Sequence, residues 1–397
     1  MRLLNKIKGF AKKLKSVGLT DTAAFQKAFA EFLTSGSPSQ KNTGYVGSCS
    51  NIWALAFSNA VLRIYDTDTG EEWADHAATE ILKNPFPGFT GWELMNRLAN
   101  DLIYEGNCYW LKLRPQKGLT PVTGLYPLRA DRMDTYPYNV DYIDHYLYNT
   151  GSAQLRFDIQ DIIHFRSPER QSVTMGAPII SRISDVIDVE KMQIEYRKQF
   201  YKKAGFLGAT FTSPHNMGQE AFDRMLDLLQ KKYGGGANAF QVGLFDNDTK
   251  PVPTAYSLKD MQITDDRKLN MEEVCSAFGV NKLLFGQSEG IQRGNADTVY
   301  YVFYATYIDP LLRYVAQAIT NQWLSVDYLA TDGSRVLTAA YDPLAKRGLE
   351  QDLKYYENGI RNGWLAPDEV RELENFPVLG GDFALPKLSM QPNITVN

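Results

Sequence analysis

The chain has 397 residues, of which 44% are hydrophobic, and its 42 Lys and Arg against 46 Asp and Glu give a net charge of −4. This length and composition are typical of a globular protein with a sizeable core and room for two or three domains. A protein that grips DNA by neutralising phosphates is basic on at least one face, so we expect any DNA contact to be loose or confined to small patches. Three well-separated cysteines indicate a reducing compartment and no zinc site.

The first 47 residues divide into a basic amphipathic stretch and a linker. Leu3, Ile7 and Phe10 fall on one helical face among many lysines, without the long apolar stretch of a secretory signal. A helix on a membrane surface is one interpretation, but a solvated helix or one docked on a partner is favoured. Residues 35–47 are rich in Ser, Gly, Pro and Asn, which predicts a linker.

Residues 48–175 predict a domain of mixed helices and strands. Thr90 has the position and the hydroxyl of an N-cap, and Gly106 follows the last apolar residue of the same helix. The next apolar stretch, Asn107–Leu113, predicts a strand, and residues 161–165 predict another.

A long helix is expected over residues 176–204, because Gly176 and Pro178 open a regular pattern of isoleucines and charges. The isoleucines make only a narrow stripe, which suits a helix packed edge to edge in a bundle or ring. They are Ile180, Ile183, Ile187 and Ile194. Residues 205–262 then predict a compact insertion with a strand, a helix over 219–233 and strands on both sides of Pro251 and Pro253.

A second helix is predicted over residues 264–279, with Thr264 as its N-cap and Gly279 as its stop. The stretch that follows, 280–296, begins apolar and becomes polar, and it predicts a loop. Glycine recurs there at every fourth position, as Gly286, Gly290 and Gly294.

A third helix, from about Ala296, is nearly without charge, and Pro310 is expected to kink it because proline lacks a backbone N–H. The apolar stretch before Asp309 is shorter than the roughly 20 residues that span a bilayer, so protein must cover it. That cover is either one large core of this chain or further copies of the chain in an oligomer. Near the C-terminus, residues 333–340 predict a strand and 347–376 predict helices.

Catalytic and metal-binding patterns are missing from the sequence. The four histidines stand apart from one another and from any cluster of cysteines or carboxylates. No nucleophile elbow, dinucleotide fingerprint or phosphate loop occurs. We therefore expect no enzyme activity, no metal and no cofactor, while an enzyme with an unrecognised site stays open as an alternative.

Four sequence runs, in order, resemble tailed-bacteriophage portal proteins of the long-tailed-phage type. The fullest run matches a "FGV-x-x-x-L-x-G" turn followed by an Asn, an aromatic pair and a helix with proline; its residues are Phe278, Gly279, Val280, Leu284, Gly286, Asn295, Phe303, Tyr304 and Pro310. The other runs contribute Asn84, Pro85, Thr90, Gly106, Asn107 and Tyr109, then Gly176 and Pro178, then Asn358, Gly359, Glu369, Arg371, Gly380, Gly381 and Asp382. One departure is Asn281 and Lys282, where the family usually carries prolines.

The resemblance implies an α+β portal-type subunit with named parts. These are a mixed wing (48–175), two stem helices (176–204 and 263–279), a small clip (205–262), a tunnel loop (280–296), a long kinked helix with the rest of the wing (297–340), and a helical crown with the tail (341–397). Twelve copies would form a ring at one capsid vertex, through which double-stranded DNA enters and leaves. Implied partners are the terminase large subunit, the head–tail adaptor and the major capsid protein, with no membrane. The protein would be found in the virion, and in the host cytoplasm during assembly.

The resemblance also suggests which residues carry these roles. The tunnel-loop residues expected near DNA are Lys282, Gln287, Gln292, Arg293 and Asn295, with Gly286, Gly290 and Gly294 allowing the loop to change shape. Packing between subunits is assigned to Ile180, Ile183, Ile187, Ile194, Val299, Phe303, Tyr307 and Pro310. Two alternatives stay open: a surface loop whose glycines only make turns, and a different ring-forming head or adaptor protein.

Overall fold

The computed structural model describes residues 44–114, 121–137, 142–150, 154–169, 171–203, 209–212, 250–253, 263–285, 293–328, 337–345, 349–374 and 376–386, together with 218–220, 222–224 and 227. These residues form a fold of mixed helices and antiparallel strands, as the sequence predicts. All three cysteines are buried free thiols.

Two helices of the first part pack together, α1 (Gly44–Ser58) and α3 (Gly91–Tyr104), with the short α2 (Ala77–Lys83) between them in sequence. The predicted ends of α3 are confirmed. Thr90 and Glu93 form a reciprocal capping box, in which each side chain accepts from the other's backbone N–H. Just past the helix, Gly106 takes a φ of +72°, which an L side chain rarely adopts.

The described strands of this part of the chain form three antiparallel sheets. The first has the order β3-β2-β7, and its strands are β2 (Asn107–Leu113), β3 (Gly124–Leu128) and β7 (Ile162–Arg166). The second has the order β4-β5-β6, and its strands are β4 (Met133–Pro137), β5 (Ile143–Asn149) and β6 (Gln154–Asp158). The third pairs β1 (Leu62–Asp66) with β10 (Leu337–Tyr341), so residues far apart in sequence close one domain.

The strand β2 separates two hydrophobic cores because successive side chains point to opposite faces. Cys108 and Trp110 belong to the larger core, which α1, α3 and the later helices complete. Tyr109 and Leu111 belong to the smaller core, between the two three-stranded sheets.

The helices that follow are α4 (Ser184–Lys203), preceded by a 3₁₀ stretch at Ile179–Ile183, and α5 (Ile263–Phe278). In the sequence between them, β8 (Ala209–Thr212) pairs with β9 (Lys250–Pro253). Thr264 is the second residue of α5 rather than its N-cap, so that prediction is wrong.

A long helical segment over residues 293–327 contacts both α1 and the sheets. Its parts are α6 (Arg293–Phe303), a π turn at Tyr304–Ile308, α7 (Asp309–Ile319), a second π turn at Thr320–Leu324 and α8 (Ser325–Asp327). Two more helices, α9 (Leu349–Arg361) and α10 (Pro367–Leu373), complete the described chain.

Several predicted boundaries need correction. The predicted linker over 35–47 overlaps α1, which already begins at Gly44. Pro251 and Pro253 lie within β9 rather than between strands. Of the helix expected over 219–233, only 219–220, 222–224 and 227 are described, and these are helical.

Candidate functional site at the end of α5

The turn that ends α5 is built by Gly279. Its φ of +63° lets its N–H donate to the Ser276 carbonyl at 3.1 Å, while the next N–H, of Val280, donates to the Cys275 carbonyl at 2.9 Å. This pair of bonds is a Schellman motif, which satisfies carbonyls that the helix end would leave open. The turn therefore forms although Asn281 and Lys282 stand where the resembling family has prolines.

Two aromatic side chains fix this turn from outside the helix. The indole Nε1 of Trp53, on α1, donates to the Phe278 carbonyl at 2.9 Å, and the two rings meet edge to face at 6.2 Å. On the other side the Tyr307 ring lies so close to Gly279 that an added Cβ would sit 2.2 Å from it. Trp53 and Tyr307 thus hold two neighbouring residues of the turn, Phe278 and Gly279.

Beyond the turn, Lys282–Phe285 form a single 3₁₀ turn, which Asn281 starts by accepting from the Leu283 N–H at 3.1 Å. Lys282 is exposed at its first position. Of the other predicted loop residues, Gln287, Gln292, Gly286 and Gly290 lie outside the described residues.

Arg293, Gly294 and Asn295 lie in the first turn of α6, so the predicted loop 280–296 is too long at its end. Gly294 is therefore a helical residue in this structure, and its part in loop flexibility stays a prediction. Of the loop, the structure describes Val280, Asn281 and the 3₁₀ turn.

A groove of about 440 Å³ opens beside the α5 turn, between the 3₁₀ stretch before α4 and the long helix. Aromatic and aliphatic side chains line much of it, including Trp53, Tyr307 and Pro310. Arg166 and Arg182 add positive charge at its edge, and Glu169 pairs with Arg182 at 2.5 Å.

Pro310 is accommodated without ending the helix. The Asp309 N–H donates to the Tyr304 carbonyl, a π-type bond that places Pro310 at the first positions of α7, where its missing N–H leaves no gap. The Asp309 carboxylate accepts from the N–H groups of Leu344 and Ala345. The expected kink site is thus a π turn inside a continuous helical segment.

The residues predicted to pack between subunits differ in how deeply this chain buries them. Ile183 is 5% exposed and Phe303 is 3% exposed, and both belong to the core of this chain, which corrects their assignment to an intersubunit surface. Ile180, Ile187 and Tyr307 are partly buried against the same core. Ile194 and Val299 are half-buried, and Pro310 is exposed.

Other apolar side chains are exposed, and the periodicity of the sequence did not predict them. Val189 and Met192 project from α4, and Leu269 projects from α5. Near the start of the long helix, Tyr300 and Tyr301 are exposed as well. The signal missed was a second, shorter apolar row on α4, at spacing i and i+3, beside the isoleucine stripe.

The helices α4 and α5 are held side by side by polar groups. Asn270 donates to the Gln193 side chain at 3.2 Å. Glu190 is fully buried near the Arg267 guanidinium, at 3.8 Å, and burial raises the pKa of this carboxyl against the pull of the arginine. Arg267 also lies 5.4 Å over the Tyr45 ring, which ties the pair to α1.

The described part of the chain also carries one carboxyl with a strongly shifted pKa. Burial raises the pKa of Asp101 to about 7, although Arg97 pairs with it at 2.9 Å. It lines a cleft of about 250 Å³ together with Tyr104, Glu105 and Asp131, and no Ser, Thr, Cys, His or Lys is among the residues that line the cleft. Within the described ranges, no group of three His, Cys, Asp or Glu side chains is arranged to hold a metal ion.

Among the helices in the described part of the chain, none is both long and apolar enough to span a membrane.

Comparison with known proteins places these features in a family. Residues 45–375 match the family model described as phage portal protein. The portal protein of Escherichia phage T5 is 21% identical over 323 residues, which cover 79% of this chain and 73% of the relative. An uncharacterized protein of Rickettsia bellii is 22% identical over 288 residues, covering 70% and 73%.

Solved structures share the fold. The neck of an empty gene transfer agent particle, computed with C6 symmetry, superposes with a TM-score of 0.60 at 20% identity, covering 91% of this chain and 95% of that one. The neck of the native particle, computed with C12 symmetry, gives 0.59 at 21% identity, with 91% and 95% covered. The crystal structure of an HK97 family portal protein from Corynebacterium diphtheriae gives 0.54 at 12% identity, with 76% and 93% covered.

Proposed function

This chain belongs to the phage portal protein family, and we propose that its copies form a ring at one vertex of a phage capsid, through which viral double-stranded DNA is packaged and later ejected. The observation that carries the proposal is the family match, which spans residues 45–375 and includes the α5 turn with every element that fixes it. The role is structural, with no catalytic residue, cofactor or metal assigned.

The helices α4 and α5 act as the stem of the subunit, and the segment between them, residues 205–262, acts as the clip. Support comes from their side-by-side packing, with Gln193 bonded to Asn270, and from the insertion of a separate strand pair, β8 and β9, between them. In this proposal the clip meets the terminase large subunit during packaging and the head–tail adaptor afterwards.

The remaining elements form the wing, the tunnel loop and the crown. The wing comprises residues 48–175 and the β10 strand, and the pairing of β1 with β10 supports this grouping. The tunnel loop begins after Gly279 and ends before α6 at Arg293. The crown comprises 341–397, which includes α9 and α10.

Neighbouring copies pack through apolar side chains that one chain leaves exposed. A ring requires a head-to-tail contact between two different surfaces, repeated until it closes. Val189, Met192 and Leu269 supply such an apolar surface on the stem, and Tyr300 and Tyr301 supply another on the long helix. The C12 and C6 symmetries reported for the gene transfer agent necks support a ring, and twelve copies are the expected number.

The ring contact is tested with Met192→Glu and Leu269→Glu. Each variant places a charge on an exposed stem position, so the subunit should keep its fold. The contact between subunits should weaken, because it would bury an unpaired carboxylate, whose desolvation costs free energy. Native mass spectrometry of the purified full chain should give a dodecamer for the wild type and smaller species for both variants. Val326→Glu, on an exposed position of α8, is the matched control and should leave the ring intact. A wild-type chain that stays monomeric at micromolar concentration contradicts the proposal.

The proposed setting is the capsid vertex of the virion, with assembly in the host cytoplasm. The major capsid protein would surround the ring there. Packaging assays with the purified motor test this setting directly, since a chain that supports capsid filling must join both the shell and the terminase large subunit.

A further inference from the structure

The C-terminal hairpin, defined here as residues 349–386, is held together by its own contacts. The Asp368 carboxylate accepts from the N–H groups of Leu379 and Gly380 at 2.9 and 2.7 Å, which folds the chain after α10 back onto that helix. The Tyr356 hydroxyl on α9 donates to Glu374, just past α10, at 2.9 Å, so the two helices are joined as well. Gly359, in α9, packs closely against Leu365, which lies in the turn between α9 and α10.

This hairpin leaves an unusual amount of apolar surface uncovered. Among the described residues, the last one that belongs to either hydrophobic core is Leu344, so no residue of the hairpin belongs to a core. Nine of the 24 exposed large apolar side chains on described residues lie in it. The exposed fraction reaches 64% at Leu373 and 59% at Leu379. An apolar surface of this kind marks an interaction site.

The same hairpin is strongly acidic. It carries eight carboxylates against Lys354, Arg361 and Arg371, a net charge of −5. The carboxylates are Glu350, Asp352, Glu357, Asp368, Glu369, Glu372, Glu374 and Asp382. This charge opposes contact with DNA or with an anionic membrane, and it favours a basic occupant that also has an apolar face.

One segment of the chain has that chemistry. Residues 1–19 hold no acidic side chain, and their apolar residues recur at helical spacing, with Leu3, Ile7, Phe10 and Leu14 on one face. Their basic side chains are Arg2, Lys6, Lys8, Lys12, Lys13 and Lys15. The 24 residues from 20 to 43, between this segment and α1, reach up to about 80 Å when extended.

We propose that residues 1–19 dock on the C-terminal hairpin, laying their apolar face on Leu373, Leu379 and the neighbouring apolar side chains while their lysines pair with the surrounding carboxylates. The contact holds residues 1–19 against residues 349–386. It goes beyond the proposed portal function and does not depend on it, because a monomer would show the same contact.

Limited trypsin digestion of the full-length protein tests the docking, since the occupant carries its own cleavage sites at Lys12, Lys13 and Lys15. Cleavage there, followed by mass spectrometry, should be slow in the wild type. The double variant Leu373→Ser/Leu379→Ser removes two of the nine exposed apolar side chains of the hairpin and should speed cleavage about tenfold. Raising the salt concentration should speed wild-type cleavage as well, because it screens the charge pairs.

The matched control is Val61→Ser/Val326→Ser, which alters two exposed apolar residues outside the hairpin and should leave cleavage unchanged. In a charge swap, Lys12→Glu/Lys13→Glu should expose Lys15, and adding Glu357→Lys/Asp382→Lys should restore protection. Wild-type cleavage as fast as in the hairpin variant overturns the proposal. So does protection that appears only after anionic vesicles or DNA are added, which would assign the basic segment to those surfaces instead.

Discussion

The side-chain amide of Gln322 pairs with both backbone polar groups of His164, as a neighbouring strand would. Its Oε1 accepts from the His164 N–H at 2.8 Å and its Nε2 donates to the His164 carbonyl at 3.0 Å. Two residues along β7, the Arg166 N–H donates to the Tyr314 hydroxyl at 3.0 Å. The long helix therefore completes the hydrogen bonding of the edge strand β7 and blocks that edge from other strands.

We expect Gln322→Met to lower the free energy of unfolding by about 1–3 kcal/mol, because it leaves a donor and an acceptor of the β7 backbone unpaired in a buried setting. Chemical denaturation followed by tryptophan fluorescence measures the loss. Gln317→Met, on an exposed position of the same helix, should change stability by less than about 0.5 kcal/mol. Equal losses in the two variants would contradict the strand-like pairing.

Gly279→Ala should be far more damaging than an ordinary glycine replacement. Its positive φ alone costs about 1–2 kcal/mol for an L residue, and its Cβ would meet the Tyr307 ring. Gly70→Ala is the matched control, since Gly70 also has positive φ but nothing within 4 Å of an added Cβ. We expect a clearly larger fall in melting temperature for Gly279→Ala than for Gly70→Ala.

Replacing Tyr307 should relieve the same clash. The double variant Gly279→Ala/Tyr307→Ala should lose less stability than the sum of the two single variants, because the added methyl group then fills space vacated by the ring. Strict additivity in this cycle would show that Tyr307 does not restrict the turn.

His164 should make the free energy of unfolding fall as the pH falls. Burial, helped by the nearby Arg166, lowers the pKa of His164 to about 3 from its usual value near 6.5. Between these values the unfolded chain binds the proton more readily, so stability is complete above pH 6.5 and falls as pH drops towards 3. Between pH 3 and 6.5, His164→Gln should reduce the slope of the free energy of unfolding against pH by up to about 1.4 kcal/mol per pH unit. Denaturation series at several pH values check it, and an unchanged slope contradicts the assignment.

Asp101 contributes with the opposite sign in an overlapping range. Its folded pKa of about 7 lies above the unfolded value of 3.8, so its contribution is complete below pH 3.8 and is lost as pH rises through 7. Asp101→Asn should therefore raise stability at pH 8 relative to pH 4, compared with the wild type. The two variants together separate the opposing contributions.

Local features were predictable where their partners are close in sequence. Thr90 and Glu93 are three residues apart, and the Gly279 turn uses carbonyls within five residues, so residue type alone indicated both helix ends. Contacts across the chain gave no such signal. The Asn107 side chain bonds to both the N–H and the carbonyl of Gly176, 69 residues away, which joins two of the family-like runs in space.

Periodicity identified apolar stripes but not what covers them. Phe303 lies on a regular apolar face, and only the folded chain reveals that its own core covers it. The start of α6 was missed because Arg, Gly and Asn at residues 293–295 carry little helical signal, and glycine is unfavourable in a helix. The two π turns depend on tertiary packing and on Pro310, and a regular pattern cannot predict them.

In the proposed channel, DNA passes the α5 turn. A polyanion can slide only if each phosphate contact is weak, because every neutralised phosphate adds a salt-sensitive increment of affinity. Lys282 is exposed just after the turn, and Arg293 begins α6 at the other end of the loop, so the loop has one basic residue at each end. Lys282→Ala/Arg293→Ala should leave the ring intact in native mass spectrometry and reduce DNA packaging or retention.

The wild-type ring should also bind DNA weakly and without sequence preference, in a manner that vanishes as salt rises. In fluorescence anisotropy, the double variant should show a smaller salt dependence than the wild type, since two basic residues are gone. Lys268→Ala, on an exposed position of α5 before the turn, shows the effect of losing one charge outside the loop. Base-specific binding, or normal packaging in the double variant, would remove this loop from the DNA channel and leave its glycines with turn formation as their only role.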